Sequence, residues 1–448
     1  MGVATIALGA YIATVIVAIT VLRRTVGEAM VLAFVVLCVF GGITGPGLAW
    51  AGIADAFTNP IVFAVVTFVF MAILFQMTGI IDRQVAILNS ALGRIPGGAG
   101  YVATVASGVF GMISHGGSAN AAAIGSVTIP WMKRSGWPPH VAATLIAGNS
   151  GLGHVIPPSP SLLLLLGMAA AAPVVSLRDA FLPLMLAAGW IMVYRLAVAY
   201  FFVRRYGISG VDQDSLIPFP QALREGWTTL AVFLGIVIPL VVTTGPVGSL
   251  LTARVGDAAM DAVDIVMWIP VLMLVITIVL GARRLPRRPL EVYRLFESCA
   301  PRYMNIGVTL VFAFAASAVL TDLGLGPELQ RLLAGFSASP IVLLLVVGTV
   351  LIVVAAPLPA TATTATLGGV AFTVLTHAGV GAVPAIAAIL IFVSTEGASP
   401  PAGSAIYIAS GQARVDPVTM FVPLITLYVV PFLGLGVLIG SGLLPVAF

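Results

Sequence analysis

Of 448 residues, 60% are hydrophobic and 8% charged; the mean hydropathy is +1.14 and the formal net charge +4. Soluble domains carry about a quarter charged residues, so a soluble globular protein is excluded and the chain reads as a polytopic membrane protein whose partner is the lipid bilayer. The positive balance does not point to nucleic acid, because the arginines stand beside apolar segments and not on one aromatic-laced face.

A helix crossing the hydrocarbon layer needs about 20 apolar residues. On that rule full or near-full spans fall at 3–22, 28–44 and 60–81. Arg23 and Arg24 follow the first, the reverse of a signal peptide's charged start, so it is expected to be a retained helix. Residues 97–132 form two short apolar pieces around Ser114–Asn120, entered after Arg94 and left at Lys133 and Arg134, which predicts a hairpin returning to its own side. Residues 138–172 are interrupted from Asn149 to Pro158 and predict two half-helices joined by unwound backbone. A span at 178–202 leads into a polar connector with Asp212, Asp214, Pro218, Pro220 and Glu225, expected to end in a short interfacial helix. Spans at 227–246, 262–282 and 303–321 follow, with 283–302 expected as a basic surface segment. Residues 339–376 predict a second hairpin around Pro357–Thr363, residues 382–411 a second helix broken from Ser394 to Pro401, and residues 418–441 a last span. Cys38 lies in an apolar run and Cys299 in a basic stretch, which supports neither a disulfide framework nor a metal site.

Gly125 and Gly368 are 243 residues apart, as are Pro157 and Pro400, so the spacing inside one hairpin and break is kept in the other. That spacing implies duplication, and broken apolar segments at corresponding positions of two halves point to a secondary transporter's binding site. Five crossings separate the hairpins, an odd number, so the repeats are expected to be inverted. One face collects Arg23, Arg24, Lys133, Arg134, Arg204, Arg205 and the arginines from Arg283 to Arg302; the other holds Arg178, Arg254 and Arg331. The first face is therefore expected to be cytoplasmic, with both termini extracytoplasmic. The fold class is an all-α polytopic membrane protein with inverted repeats, two re-entrant hairpins and two broken helices. Residues 1–95 would be scaffold helices, 96–202 a first transport repeat, 203–337 connector and scaffold, and 338–448 a second transport repeat.

Neutral oxygens beside glycine suit a hard cation such as Na⁺. Ser114, Ser118, Asn120, Asn149 and Ser150 in the first half, with Thr361, Thr363, Ser394, Thr395 and Glu396 in the second, are the candidate ligands. Ser118 falls on Thr361 and Asn120 on Thr363 under the 243-residue shift, which implies one cation site per repeat. The competing reading has small polar residues merely bonding helix to helix. A solute anion could sit against half-helix N-termini, with Asn120, Ser159, Thr364 and Ser404 as candidate contacts. His115, His154 and Glu396 are ionisable groups near membrane depth and could relay a proton. The alternative makes both histidines neutral hydrogen-bonding groups and Glu396 a cation ligand. Arg195, nine residues before Arg204, is expected to snorkel to the headgroups.

There is no His-Glu-x-x-His, Gly-x-Ser-x-Gly or Gly-x-x-x-x-Gly-Lys motif, so an enzyme is not expected and no organic cofactor is implied. Gly97-Gly98 through Ser118-Ala119-Asn120, Gly125 through Gly136, Ile156 through Ser159 and Ser399 through Gly403 together resemble the large membrane subunit of tripartite ATP-independent periplasmic (TRAP) transporters, in the ion transporter superfamily of elevator carriers. The resemblance spans almost the whole chain. It implies a bacterial or archaeal inner-membrane carrier with a mobile domain holding both hairpins, two or more Na⁺ ions and organic-acid substrates. It further implies a small four-helix membrane subunit and a soluble extracytoplasmic solute-binding protein. A stand-alone symporter or antiporter of the same superfamily is the alternative. This chain departs from the family pattern at His115-Gly116-Gly117, where a Gly-Ser-Ser run is usual, at Pro359-Ala360, where Pro-Thr is usual, and at Glu396, a commonly neutral position.

Overall fold

Proline and glycine decide where this apolar chain stops being helical. The computed structural model describes residues 2–114, 116–209, 217–243, 245–256, 264–334 and 339–446, and the regular structure among them is entirely helical. Among the described residues five helices are long and apolar enough to cross a membrane: Val3–Thr20, Leu177–Tyr206, Phe219–Thr243, Tyr303–Asp322 and Val418–Gly440. A sixth arises if Gly42–Thr58 and Pro60–Phe75, bent by 55° at their junction, form one span. The expected spans at 28–44 and 262–282 are the shorter helices Val26–Val39 and Ile265–Gly281. The first of these starts at a capping box, Thr25 Oγ accepting from Glu28 N while Glu28 Oε2 accepts from Thr25 N.

Two helical stretches were not expected. Residues 45–58 form a helix that the run Gly45-Pro46-Gly47 had hidden; proline is well placed in a first turn, where its missing N–H would have no partner anyway. The stretch 283–302 is largely exposed, as expected of a surface segment, but from Pro289 onward it is helical and continuous with the following span in the 34-residue helix Pro289–Asp322. The interfacial helix is present at Phe219–Gly226 and continues through a 3-10 turn, Trp227–Phe233, into Leu234–Thr243. Asp212 and Asp214 lie outside the described residues.

Gly98–Ser114 and Gly117–Arg134 pack against each other as a first helix pair. The second pair is Pro340–Ala355 with a helix running from Ala360–Thr363 through a π turn, Thr364–Gly368, to Gly369–His377. After the first pair come Pro139–Asn149, a 3-10 turn at Ser150–His154, the cis-linked Pro157-Pro158, and Pro160–Leu166. After the second come Ala382–Val393, a 3-10 turn at Glu396–Ala398, the cis-linked Pro400-Pro401, and Ser404–Ala413. The first halves end at Asn149 and Val393, ahead of the proline pairs, and the prolines, lacking an N–H donor, keep the unwound stretches from closing into helix.

The far half of each broken segment packs on the other pair: Pro160–Leu166 lies against Ala360–Gly368, and Ser404–Ala413 against Gly117–Arg134. Elsewhere Val26–Val39 and Gly45–Thr58 lie on Pro289–Asp322, and Pro60–Thr78 lies on Ile265–Gly281. The breaks themselves touch backbone to backbone. A Cβ on Gly153 would come within 1.8 Å of the Gly111 carbonyl carbon, and one on Gly151 within 1.8 Å of the Ser394 carbonyl oxygen.

Gly153→Ala should therefore force a backbone shift and lower stability by about 1–3 kcal/mol, read as the SDS-unfolding midpoint of the purified protein. Gly189→Ala, in Leu177–Tyr206 with nothing within 4 Å of its Cβ, should leave the midpoint unchanged or raise it by about 0.5–1 kcal/mol.

Candidate functional site

Glu396 opens the 3-10 turn of the second break and is 8% exposed. Its Oε1 accepts a hydrogen bond from Gly117 N at 2.7 Å, and its Oε2 accepts from Ala360 N. Gly117 and Ala360 are the first residues of the second arm of each helix pair, and they are 243 residues apart, the offset read in the sequence. His154 Nε2, from the first break, lies 3.3 Å from Oε1, and its Nδ1 lies 3.0 Å from Ser161 Oγ. An imidazole donating through Nε2 leaves Nδ1 to accept from the serine hydroxyl. One carboxylate thus gathers N–H groups from both tips and from the opposite break, at helix ends that carry about half a positive charge each.

In front of the tips lies a cavity of about 260 Å³. Gly116, Ser118, Pro359 and Thr361 form its tip side, and Asn305 and Thr309 of Pro289–Asp322 line it from across. No charged side chain lines it among the described residues; its polar groups are hydroxyls and an amide in an apolar wall. Asn305 Oδ1 accepts from Gly27 N at 2.9 Å, and Thr309 Oγ donates to Asn305 O at 2.7 Å. Sequence reasoning missed these two, although a polar pair four residues apart marks one face of an otherwise apolar helix.

The candidate cation ligands are distributed unevenly. Asn120 Nδ2 donates to Ser107 O at 2.8 Å and to Ser150 O at 2.9 Å, and Asn149 Nδ2 donates to Thr104 Oγ at 2.9 Å. Both amide oxygens, Asn120 Oδ1 and Asn149 Oδ1, are then left buried without a hydrogen-bond partner. Buried polar atoms are rarely left unpaired, and two acceptor-only oxygens fit a hard cation's donor set. Ser118 Oγ pairs with Ser404 Oγ at 2.5 Å. In contrast Ser150, Ser394 and Thr395 turn their hydroxyls to carbonyls of their own helices at 2.7 Å, and Thr363 lies 3.4 Å from Pro359 O. Ser114 ends its helix, and His115 lies outside the described residues.

Of the four expected solute contacts, none lines the cavity. Asn120 is buried behind the first tip, and Ser404 pairs with Ser118. Ser159 is the N-cap of Pro160–Leu166, accepting from Leu162 N at 3.2 Å and donating to His154 O at 2.6 Å. Thr364 donates to Ala360 O at 2.8 Å.

Arg195 does not snorkel. It is 1% exposed, donates through Nη1 to Gly148 O, and lies over the Phe432 ring at 4.5 Å and the Tyr428 ring at 5.9 Å. Nine residues turn an α-helix by about two and a half revolutions, so Arg195 faces away from Arg204 and into the protein, where it caps the Gly148 carbonyl near the end of Pro139–Asn149.

An apolar helical bundle with several helices long enough to cross a membrane, and with two helix-pair tips that bring hydroxyls to a small cavity, is the build of a multi-pass membrane protein. The family model for the tripartite ATP-independent periplasmic transporter, DctM component, matches residues 13–443, and the chain belongs to that family. That family is one of transporters and not of enzymes. It is 28% identical over 403 residues to the uncharacterized protein y4mL of Sinorhizobium fredii, covering 89% of this chain and 90% of that protein. A stretch of 81 residues is 36% identical to the C4-dicarboxylate TRAP transporter large permease protein DctM of Pseudomonas aeruginosa, 18% of this chain and 19% of that one. The crystal structure of the Alcanivorax borkumensis YdaH transporter superposes with a TM-score of 0.62 at 15% identity, covering 87% of this chain and 86% of that one, a likeness of fold alone.

Asn120→Ala should strip two buried carbonyls of their donor and lower stability by about 1–3 kcal/mol. An SDS-unfolding midpoint equal to the wild type's would show that Ser107 O and Ser150 O do not depend on this amide.

Proposed function

We propose that this chain is the large membrane subunit of a Na⁺-driven importer of a small organic anion, working by an elevator motion. In this reading it acts with an extracytoplasmic solute-binding protein and a small four-helix membrane subunit. The observation that carries the reading is the meeting of both tips at one point beside one solute-sized cavity, in the same 243-residue register as the breaks. The two halves are inverted repeats, the helix pairs are re-entrant hairpins, and their tips serve as alternate gates. Residues 96–202 and 338–448 move together against the helices of 1–95 and 203–337, which include the Asn305 and Thr309 side of the cavity. The arginines between Arg283 and Arg302 set the cytoplasmic face, with both termini outside.

Na⁺ is held in the first half by Asn120 Oδ1 and Asn149 Oδ1 with neighbouring carbonyls. A second ion draws on Thr361, and on Thr363, Ser394 and Thr395 once their hydroxyls turn from the carbonyls they now face. Bound Na⁺ also supplies the positive charge that the cavity wall lacks, which favours an anionic solute. One Na⁺ moving inward across about 100 mV yields about 2.3 kcal/mol, and each negative charge on the solute takes back the same amount, so accumulation of an anion draws on Na⁺ in excess of the solute's charge and on the Na⁺ concentration gradient. The likeness to a C4-dicarboxylate permease and the small cavity together favour a short carboxylic acid.

Reconstituted with its small subunit, the protein should take up radiolabelled succinate only with an inward Na⁺ gradient and the loaded binding protein present. Asn149→Ala should lower Na⁺-dependent uptake at least about tenfold by removing a cation ligand. Full uptake without the binding protein would favour the stand-alone carrier, and full uptake under a pH gradient without Na⁺ would overturn sodium coupling.

A further inference from the structure

The two tip helices share an uncapped N-terminus, and among the described residues one side chain accepts from the first N–H of both. A helix leaves its first N–H groups without internal partners, and the residue before it normally supplies an acceptor. Here that residue is Gly116 in the first tip and Pro359 in the second, and neither carries a side-chain acceptor or makes a cap hydrogen bond. Both missing acceptors come from Glu396, one oxygen to Gly117 N and the other to Ala360 N. The seat is shaped for it. A Cβ on Gly117 would lie 2.6 Å from Glu396 Oε1, and a Cβ on Gly397 would lie 1.9 Å from Ser150 Oγ. His154, held by Ser161, completes the donor set on the third side.

We propose that the two tips jointly form a carboxylate-binding site, that Glu396 is its tethered occupant, and that this single side chain latches both tips to the second break. The inference rests on the reading of the tips as gates only for its consequence in transport; the binding site itself stands on the hydrogen bonds. Neither tip can leave the centre without giving up a charge-assisted hydrogen bond to the same carboxylate, so the two tips are linked although 243 residues separate them. The amides that would greet a solute's acid group are already satisfied. The solute must then be held by Ser118, Thr361, Asn305 and Thr309, and Glu396 acts as a positioning residue that sets the tips around it.

Hydrogen exchange of the full-length protein in lipid nanodiscs, without solute, tests this at peptides covering residues 116–125 and 359–368. Glu396→Ala should speed exchange at both tips at least about tenfold. Sodium formate or sodium acetate at tens of millimolar should restore protection at both, while sodium chloride at equal ionic strength and neutral acetamide should not. Glu396→Gln, which keeps the shape but offers one acceptor oxygen, should release one tip and hold the other. The proposal is overturned if either tip keeps wild-type exchange in Glu396→Ala, if both do in Glu396→Gln, or if chloride and acetamide restore protection as well as formate. The assay needs no transport, no Na⁺ gradient and no partner. Latched tips in a protein that never moves succinate would sink the importer and leave the carboxylate site standing.

Discussion

Backbone unwound inside an apolar bundle leaves amides and carbonyls that water does not reach, and the centre of this protein is organised by where those groups find partners. Pro157-Pro158 and Pro400-Pro401 follow helices that end at Asn149 and Val393, and by withdrawing donors they hold the breaks open. The carbonyl end of Pro139–Asn149 is met by a buried guanidinium, Arg195, and the amide ends of both tip helices by a buried carboxylate, Glu396. Each charge faces the helix terminus of opposite polarity. A cation at a C-terminus and an anion at an N-terminus both gain from the aligned peptide dipoles, and this arrangement lets two charged side chains lie inside a chain that is only 8% charged.

The satisfied backbone also fixes how closely the parts approach. Gly153 lies against the backbone of Gly111, and Gly151 against the carbonyl of Ser394, so the first break is held between the first helix pair and the second break. Interiors this closely packed do not deform continuously. In the elevator reading proposed above, tips and breaks would move as one body, with the slip plane at the cavity.

The breaks and tips were legible in the sequence because proline and glycine punctuate them, and because the 243-residue register made weak local signals agree. That register places Gly117 and Ala360 as equivalent residues, and the structure brings both to one carboxylate. Ser159 carried its own signal: a serine before Pro160 is a helix N-cap with proline in the first turn, and that is its place. Other features were masked. Glycines around Pro46 hid a helix start, and charge density hid that residues 289–322 form one helix. Arg195 was misread because distance along the chain was weighed and rotation about the helix was not. Asn305 and Thr309 stood outside the repeated motifs, and only the fold carries them across to the tips.

Gly117, Ala360 and Glu396, three positions where the resemblance implies other residues, meet at one point in space. A side chain at 117 would meet the Glu396 carboxylate, so a bare glycine there and the acid as occupant go together. That occupant can come from one half only. Counting back 243 residues from Glu396 gives Gly153, whose missing side chain is already required by the Gly111 backbone. Two carboxylates at this centre would repel each other within a few ångströms, and two donors need only the two oxygens of one. The 243-residue register therefore meets an unequal pair of side chains at this centre, a glutamate from the second break and a glycine from the first.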